Sequence, residues 1–273
     1  MNHKYIEINK LSNLHNGSTV FFCKTDYLSS EFENIKKQNN NVILITGNSD
    51  YAITDEIINI APKNIKKWYA QNALSNNPII EPLPIGLENK LPSVREGHGV
   101  GYFERATLKE SLLEKANLNN KEPIKFIYAN FNISTNPNYR NPIKEMCQKT
   151  SFIDWEEPDL SLESFFDKVL DYKMIVCPAG NGLDTHRLWE ILYCNRIPIT
   201  FKVANYKLYE VYNKLPIVLL ENHKDLMDHK LLQQKYLECI NKNYDLSILD
   251  INYWITKIKK TIMRKTYEGS NLH

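Results

Sequence analysis

The chain has 273 residues, of which 42% are hydrophobic and 24% charged, and 34 Lys plus Arg against 32 Asp plus Glu give a formal net charge of +2. This is the composition of an ordinary globular protein, and it excludes a disordered chain, a collagen-like chain and a coiled coil. Because the charge is nearly balanced, it gives no strong attraction for a nucleic-acid backbone, and nucleic acid is not an expected partner.

Strands and helices alternate along the first half of the sequence. Short β-branched and aromatic runs predict the strands, and apolar spacing predicts the helices between them. The predicted strands are 19–23, 42–45, 65–70 and 79–85, and the predicted helices lie near 30–37 and 54–60. Proline and glycines interrupt residues 88–105, and an Asn-rich stretch follows a polar helix near 107–115. We therefore predict a first α/β domain over 1–118.

The same alternation is clearer in the second half. The predicted strands are 124–129, 151–155, 174–177, 197–201 and 216–220, and the predicted helices are 141–149, 162–171, 185–193 and 206–212. Repeated strand and helix units of this length imply a parallel sheet covered on both faces by right-handed crossovers. We predict a Rossmann-like domain over 119–273, with two final helical tracts, 224–241 and 251–264, packing back on it.

The last tract carries apolar residues at helical spacing, which favours a stripe that faces the core. Its members are Ile251, Trp254, Ile255, Ile258 and Ile262. The tract is also basic, so peripheral contact with the inner face of a membrane stays open as an alternative. The N-terminal residues lack the apolar core of a signal peptide, and no run approaches about 18 apolar residues. We therefore expect a cytoplasmic protein.

The loop after the predicted strand 174–177 carries the most specific pattern in the sequence. In an open α/β sheet, ligands bind at the carboxyl ends of the strands. Gly180 and Gly182 permit a tight turn there, and the first amides of the following helix form an anion site. Arg187, in the first helical turn, can clamp a diphosphate with paired hydrogen bonds. Glu190, three residues on, can accept hydrogen bonds from two ribose hydroxyls.

Two other interpretations of this loop stay open. In the first, Asp184 or Thr185 only caps the helix, and Arg187 and Glu190 form a surface ion pair. In the second, His186 and Glu190 at i, i+4 are metal ligands, although no third ligand follows at helical spacing. We favour ligand binding, because Gly, Asn, Asp, His, Arg and Glu crowd into eleven residues at the edge where such folds bind ligands.

Three segments resemble the exostosin-like glycosyltransferases. Residues 180–190, Gly-Asn-Gly-Leu-Asp-Thr-His-Arg-Leu-Trp-Glu, followed by Ile-Pro-Ile at 197–199, resemble the C-terminal signature of that family. Asn-Ser-Asp at 48–50 with residues 65–72 and 82–89 resembles its N-terminal half, and residues 130–140 resemble the opening of its C-terminal half. The resemblance covers residues 40–202.

The resemblance implies the GT-B architecture, in which two Rossmann-like domains with parallel sheets face each other across a cleft. Here 1–118 would be the acceptor side, and 119–273 would hold the donor. It implies transfer of a hexosyl or pentosyl group from a nucleotide-diphosphate-sugar to a glycan or lipid-linked saccharide, in surface polysaccharide or glycan biosynthesis.

The resemblance also implies roles for individual residues. By motif position, Arg187 contacts the diphosphate and Glu190 the ribose, while the turn of Gly180, Asn181 and Gly182 approaches the donor. Arg140 is a second phosphate candidate. Asp184 and His186 lie close to the donor site, as residues that fix the loop and so position Gly182 and Arg187.

Sugar transfer also needs a general base for the acceptor and positive charge that stabilises the departing diphosphate. The sequence has no D-x-D triplet of the metal-dependent glycosyltransferases, so we expect no cofactor and no obligatory divalent ion. An inverting displacement needs a general base, and Asp50, after the strand 42–45, is the best-placed carboxylate. An Asx turn or a helix cap explains Asp50 equally well. Glu88 and His98 are weaker candidates.

Two other function classes stay open. One is a non-catalytic nucleotide- or glycan-binding module of a biosynthetic complex, and the other is a different nucleotide-dependent group transferase. Release of nucleotide diphosphate in the presence of acceptor separates the glycosyltransferase from both.

Overall fold

The computed structural model describes residues 4–90, 103–119 and 121–270. These residues form two compact units: one holds the chain up to Gly86 together with the chain from Asp245 onward, and the other lies within Leu87–Tyr244. Each unit is built on a parallel sheet with helices in the connections. The predicted α/β class, with parallel sheets in two units, is confirmed.

The sheet of the first unit has the strand order β1-β2-β4-β6, and its strand pairs are parallel. Its elements are β1 (Val20–Lys24), α1 (Leu28–Lys36), β2 (Val42–Gly47), β3 (Ile53–Thr54), α2 (Asp55–Asn59), β4 (Ile65–Ala70), β5 (Ala73–Leu74) and β6 (Ile80–Pro82). Every residue of β2 is buried, as expected for a strand covered on both faces. The short parallel pair of β3 and β5 is an addition that the sequence pattern did not predict.

Different parts of the chain cover the two faces of this sheet. The strand order follows the chain order, so right-handed crossovers all fall on one face. On that face, Phe32 of α1 meets Trp68 of β4 edge to face, with ring centroids 5.8 Å apart. The next strand residue, Tyr69, points the opposite way, and its hydroxyl hydrogen-bonds Thr261 at 2.7 Å. Thr261 belongs to the last helix, α9 (Ile251–Ser270), which therefore covers the other face.

The second unit is a doubly wound sheet with the strand order β11-β10-β9-β7-β8, again parallel. Its helices are α3 (Phe103–Leu118), α4 (Pro137–Lys149), α5 (Leu162–Val169), α6 (His186–Tyr193), α7 (Leu208–Tyr212) and α8 (His229–Asn241). Its strands are β7 (Lys125–Ala129), β8 (Ile153–Trp155), β9 (Tyr172–Val176), β10 (Ile197–Phe201) and β11 (Val218–Leu220).

The strand order of the second unit reverses at β7. The chain steps from β7 to β8 on one side and then returns to β9 on the other. The loops that leave β7 and β9 therefore diverge, and a crevice opens at the carboxyl ends of these two strands. We call this place the switch-point edge. It is formed by residues 130–136 after β7 and 177–185 after β9.

The boundary between the units differs from the predicted one near residue 118. Helix α3 packs against α5 and α6 and belongs to the second unit. Helix α9 belongs to the first unit, where Ile251 N–H donates to the Lys4 carbonyl at 2.9 Å and Lys257 pairs with Glu81. An amphipathic helix joins whichever sheet its apolar face fits, and that choice leaves no mark on its own periodicity.

The apolar stripe of α9 faces the core, as predicted. Ile251, Trp254 and Ile258 are buried. Because these side chains are buried, they are not available to a membrane surface. In the part of the chain that the structure describes, no helix combines the length and apolar character needed to cross a bilayer.

Gly86 is the last residue of the N-terminal part of the first unit, and we expect it not to tolerate a side chain. It has φ +64°, and a Cβ there would collide with the Ile6 carbonyl and side chain. Gly17 is a matched control, because its φ is +68° but its added Cβ would meet only His15 Nε2, at 3.8 Å. We expect Gly17→Ala to cost about 1–2 kcal/mol from backbone strain alone, and Gly86→Ala to cost clearly more, measured by urea unfolding. Equal losses would contradict the collision.

Candidate functional site

Arg140 ties the two loops of the switch-point edge together. It lies on α4 and is buried, and its Nε donates to the Ala179 carbonyl at 2.8 Å. Its NH1 donates to the Asn132 carbonyl at 2.6 Å, and its NH2 to the Pro178 carbonyl at 3.2 Å. Burial, reinforced by the nearby Arg187 cation, lowers the pKa of Arg140 to about 10. Arg140 therefore holds the loops in place, which differs from the predicted phosphate contact.

The glycine turn lies against this arginine. Gly180 N–H donates to the Gly182 carbonyl at 3.0 Å, which closes the predicted tight turn. Asn136 Nδ2 donates to the Gly180 carbonyl at 2.9 Å and links the turn to the loop after β7. A Cβ on Gly180 would lie 3.3 Å from Arg140 NH2, so a side chain there would press on the arginine. Asn181, at the tip of the turn, is exposed.

Asp184 is buried beneath the loop. Its Oδ1 accepts hydrogen bonds from Trp189 Nε1 at 2.8 Å and from the Tyr212 hydroxyl at 2.7 Å. Burial, together with the Asp184 carboxylate, raises the pKa of Tyr212 well above its usual value. These contacts are those expected of a residue that fixes the loop, and they leave Asp184 out of the surface that a donor would touch. The N-cap of α6 is Thr185, whose side chain makes no capping hydrogen bond.

Arg187 lies in the first turn of α6 and reaches the switch-point edge. Its NH1 donates to the Asn130 carbonyl at 2.8 Å, and its Nε lies 3.3 Å from Glu190 Oε2. Its guanidinium stacks 3.8 Å above the ring of Phe165. The side chain is 32% exposed. His186, which precedes it, is half-buried at the start of the helix.

Glu190 is buried between two cations. Its Oε1 accepts from Lys109 Nζ at 2.6 Å, and its Oε2 faces Arg187. Burial alone would raise the pKa of Glu190, but Lys109 and then Arg187 outweigh this effect and lower it to about 2. A carboxylate held in this way is not available as a ligand for a metal ion, which removes the His186 and Glu190 alternative.

Lys109 is the functional candidate that the sequence analysis missed. It lies on α3, is 5% exposed, and also donates to Glu88 Oε1 at 2.8 Å. The signal was present in the sequence, because Ala106, Lys109, Leu113 and Ala116 share one helix face and the other three are apolar. A lysine inside an apolar stripe points to a buried partner of opposite charge. Glu88, a weak candidate for a base, is that second partner.

Asp50 lies in the first unit, in the loop after β2, and is exposed. Buried neighbours hold the loop: Gln71 Oε1 accepts from Asn48 N–H at 2.8 Å, and Gln71 Nε2 donates to the Ser49 carbonyl at 3.0 Å. Asn72 Nδ2 donates to the same carbonyl at 3.2 Å. Asn48 and Asn72 adopt left-handed backbone angles, with φ of 56° and 49°.

Two further points concern the other candidates. His98 lies outside the described residues. Within the ranges that the structure does describe, no group of three or more His, Cys, Asp or Glu side chains is arranged to hold a metal ion. The expectation of metal-independent activity stays a prediction.

Comparison with known proteins finds similarity at the level of solved structures. No protein-family model and no curated protein matches the chain. A crystal structure of an α1,3-fucosyltransferase is 12% identical in sequence; the match spans 90% of this chain and 78% of the fucosyltransferase chain, with a TM-score of 0.43. A crystal structure of α1,3-fucosyltransferase with GDP-fucose is 13% identical; the match spans 89% of this chain and 90% of that chain, with a TM-score of 0.42. The crystal structure of TarM is 13% identical; the match spans 91% of this chain and 57% of the TarM chain, with a TM-score of 0.36. The resemblance to exostosin-like enzymes stays a prediction.

Replacing Glu190 by Gln should make stability less dependent on pH. A carboxyl with a folded pKa near 2 and an unfolded pKa near 4.3 stabilises the fold above about pH 4.3 and loses that contribution as the pH falls towards 2. We expect Glu190→Gln to unfold at lower urea than the wild type near pH 7, with the gap narrowing below about pH 4.3. The exposed Glu145→Gln is the control, with no gap expected. A gap that is constant with pH would contradict the ionised, paired state.

Proposed function

We propose that this chain is a glycosyltransferase of GT-B architecture. It would move a hexosyl or pentosyl group from a nucleotide-diphosphate-sugar to a glycan or lipid-linked saccharide, in the biosynthesis of a surface polysaccharide or glycan. The observation that carries the proposal is the position of Arg187. This partly exposed arginine lies at the switch-point edge of a doubly wound sheet, where it also contacts the Asn130 carbonyl.

The donor diphosphate would bind between Arg187 and the first amides of α6. The guanidinium carries a positive charge, and the N-terminus of a helix carries a partial positive charge. The N-cap side chain of α6 makes no hydrogen bond that would compete for the helix amides. Stacking on Phe165 and the hydrogen bond to the Asn130 carbonyl fix the guanidinium before a ligand arrives. Preorganised positive charge of this kind binds an anion without a cost of reorganisation.

The burial and the ion pairs of Glu190 support a role different from the predicted ribose contact. Its side chain is 4% exposed, and both oxygens face cations of the protein. We therefore propose that it holds Arg187 in place instead of touching the ribose. The exposed Asn181, in the glycine turn, stays a proposed donor contact.

The proposed transfer reaction depends on stabilising the negative charge that develops on the departing diphosphate. As the bond between the anomeric carbon and the donor phosphate oxygen breaks, its electrons go to the departing diphosphate, and Arg187 with the α6 amides stabilises that charge. These groups supply what a divalent ion would otherwise supply, which supports the proposal that no such ion is obligatory. Asp50 would take the proton of the acceptor hydroxyl as the oxygen bonds to the anomeric carbon. This assigns the acceptor to the first unit and the donor to the second.

Removing the Arg187 guanidinium should abolish nucleotide binding and leave the fold intact. We expect one family among UDP, GDP, CMP, ADP, dTDP and their sugars to raise the melting temperature of the wild type, with or without EDTA. Arg187→Ala should lose this shift, and Arg187→Lys should keep part of it, because lysine retains the charge but not the planar fork. Lys149→Ala, which removes a 67% exposed cation on α4, is the control. An unchanged shift in Arg187→Ala would refute the site.

Asp50→Asn should separate catalysis from binding. Loss of a general base lowers turnover by about 10²–10⁴-fold, whereas the donor affinity should stay within about twofold. Turnover is measured as nucleotide diphosphate released in the presence of glycan acceptors. Asp26→Asn, an exposed change in the same unit, should leave the rate unchanged. An unaffected rate in Asp50→Asn would make Asp50 a turn residue, and binding without any turnover in the wild type would favour the non-catalytic module.

A further inference from the structure

We propose that Lys109 is a positioning residue of the donor site, which acts through Glu190 on Arg187. The inference rests on the proposed function, because it takes Arg187 as the group that binds the donor anion. It assigns a role in ligand binding to helix α3, which carries no residue of the recognised motif.

Five charged side chains alternate in sign across the second unit. The series begins with Arg187, whose Nε lies 3.3 Å from Glu190 Oε2, and continues with Lys109 Nζ, 2.6 Å from Glu190 Oε1. Lys109 Nζ is also 2.8 Å from Glu88 Oε1, and Arg105 Nε lies 3.9 Å from Glu88 Oε2. Every cation in the series therefore has a carboxylate beside it. Moving or removing one member leaves its neighbours unbalanced.

The middle of this series is buried and its ends are not. The side chains of Glu190, Lys109 and Glu88 are 4%, 5% and 8% exposed, whereas Arg187 is 32% and Arg105 49% exposed. Taking ionised groups out of water costs several kcal/mol each, and well-packed apolar residues of similar volume often do as well or better. The other buried residues on that face of α3, such as Ala106 and Leu113, are apolar. Packing of α3 therefore does not require a lysine at this position.

What Lys109 does provide is a fixed Glu190. Without it, Glu190 Oε1 would be a buried acceptor that has lost its donor. The carboxyl would then either take up a proton or turn both oxygens towards Arg187. Either change alters the electrostatic attraction on Arg187 Nε, and so alters the orientation of the Arg187 guanidinium at the switch-point edge. An arginine that binds a diphosphate depends on that direction, because its hydrogen bonds come from a rigid planar fork.

The test is a double-mutant cycle on nucleotide affinity. The probe is the nucleotide diphosphate that raises the melting temperature of the wild type, and its dissociation constant is measured by calorimetry. We expect Lys109→Met to weaken binding about tenfold or more, and Lys109→Arg to recover most of the loss. In the Arg187→Lys background, which keeps part of the nucleotide binding, Lys109→Met should weaken binding much less than tenfold, because the planar fork that Lys109 orients is no longer there. Lys115→Met, an exposed change on the same helix, is the matched control.

The outcomes separate the inference from the proposed function. If the wild type binds no nucleotide, the proposed function fails and this inference fails with it. If the wild type binds and Arg187→Ala does not, but Lys109→Met binds like the wild type, only the inference is overturned. A loss in Lys109→Met that persists undiminished in the Arg187→Lys background would also overturn it, since Lys109 would then act on its own. Should Lys109→Met fail to fold, Glu190→Gln removes the carboxylate through which Lys109 acts on Arg187, and a wild-type affinity there would overturn the proposal.

Discussion

The reversal of strand order at β7 is the constraint on which the second unit depends. Right-handed crossovers send the chain from β7 to one side of the sheet and the chain from β9 to the other, so the two loops separate and leave a crevice. Backbone carbonyls exposed in such a crevice need donors. Arg140 supplies them, because one buried guanidinium satisfies carbonyls at Asn132, Pro178 and Ala179. The glycine turn and α6 then begin from a fixed position.

Two arginines with different surroundings divide the work at this edge. Arg140 is enclosed by carbonyls and is bound to the protein on three nitrogens. Arg187 has a carbonyl, a carboxylate and an aromatic face as neighbours, and about a third of its side chain, 32%, is exposed. A guanidinium whose nitrogens all donate to protein acceptors stabilises the fold, whereas a guanidinium on a partly exposed side chain can still bind an anion. The first unit fixes its corresponding loop differently, with the neutral amides of Gln71 and Asn72.

Local sequence signals predicted what local forces decide. The runs that became β7, β9 and β10 are apolar and β-branched, and the loop at 177–185 stood out because glycines and charges meet there. The units to which α3 and α9 belong could not be predicted, since an apolar helix face does not say which sheet it will meet. The roles of Arg140, Asp184 and Glu190 depend on partners such as Ala179, Tyr212 and Lys109, which are distant in sequence. Such pairings appear only when the fold is known.

The cover that α9 provides for the first sheet has a consequence for the order of folding. The second unit lies within one continuous stretch of the chain that ends at Tyr244. The first unit is discontinuous, because one face of its sheet waits for a helix that begins at Ile251. Contacts between segments so far apart in sequence form slowly, because closing the long loop between them costs conformational entropy. During synthesis from the N-terminus, the strands of the first unit are thus made before the helix that covers their Tyr69 face, and that face is closed only after α9 has been synthesised.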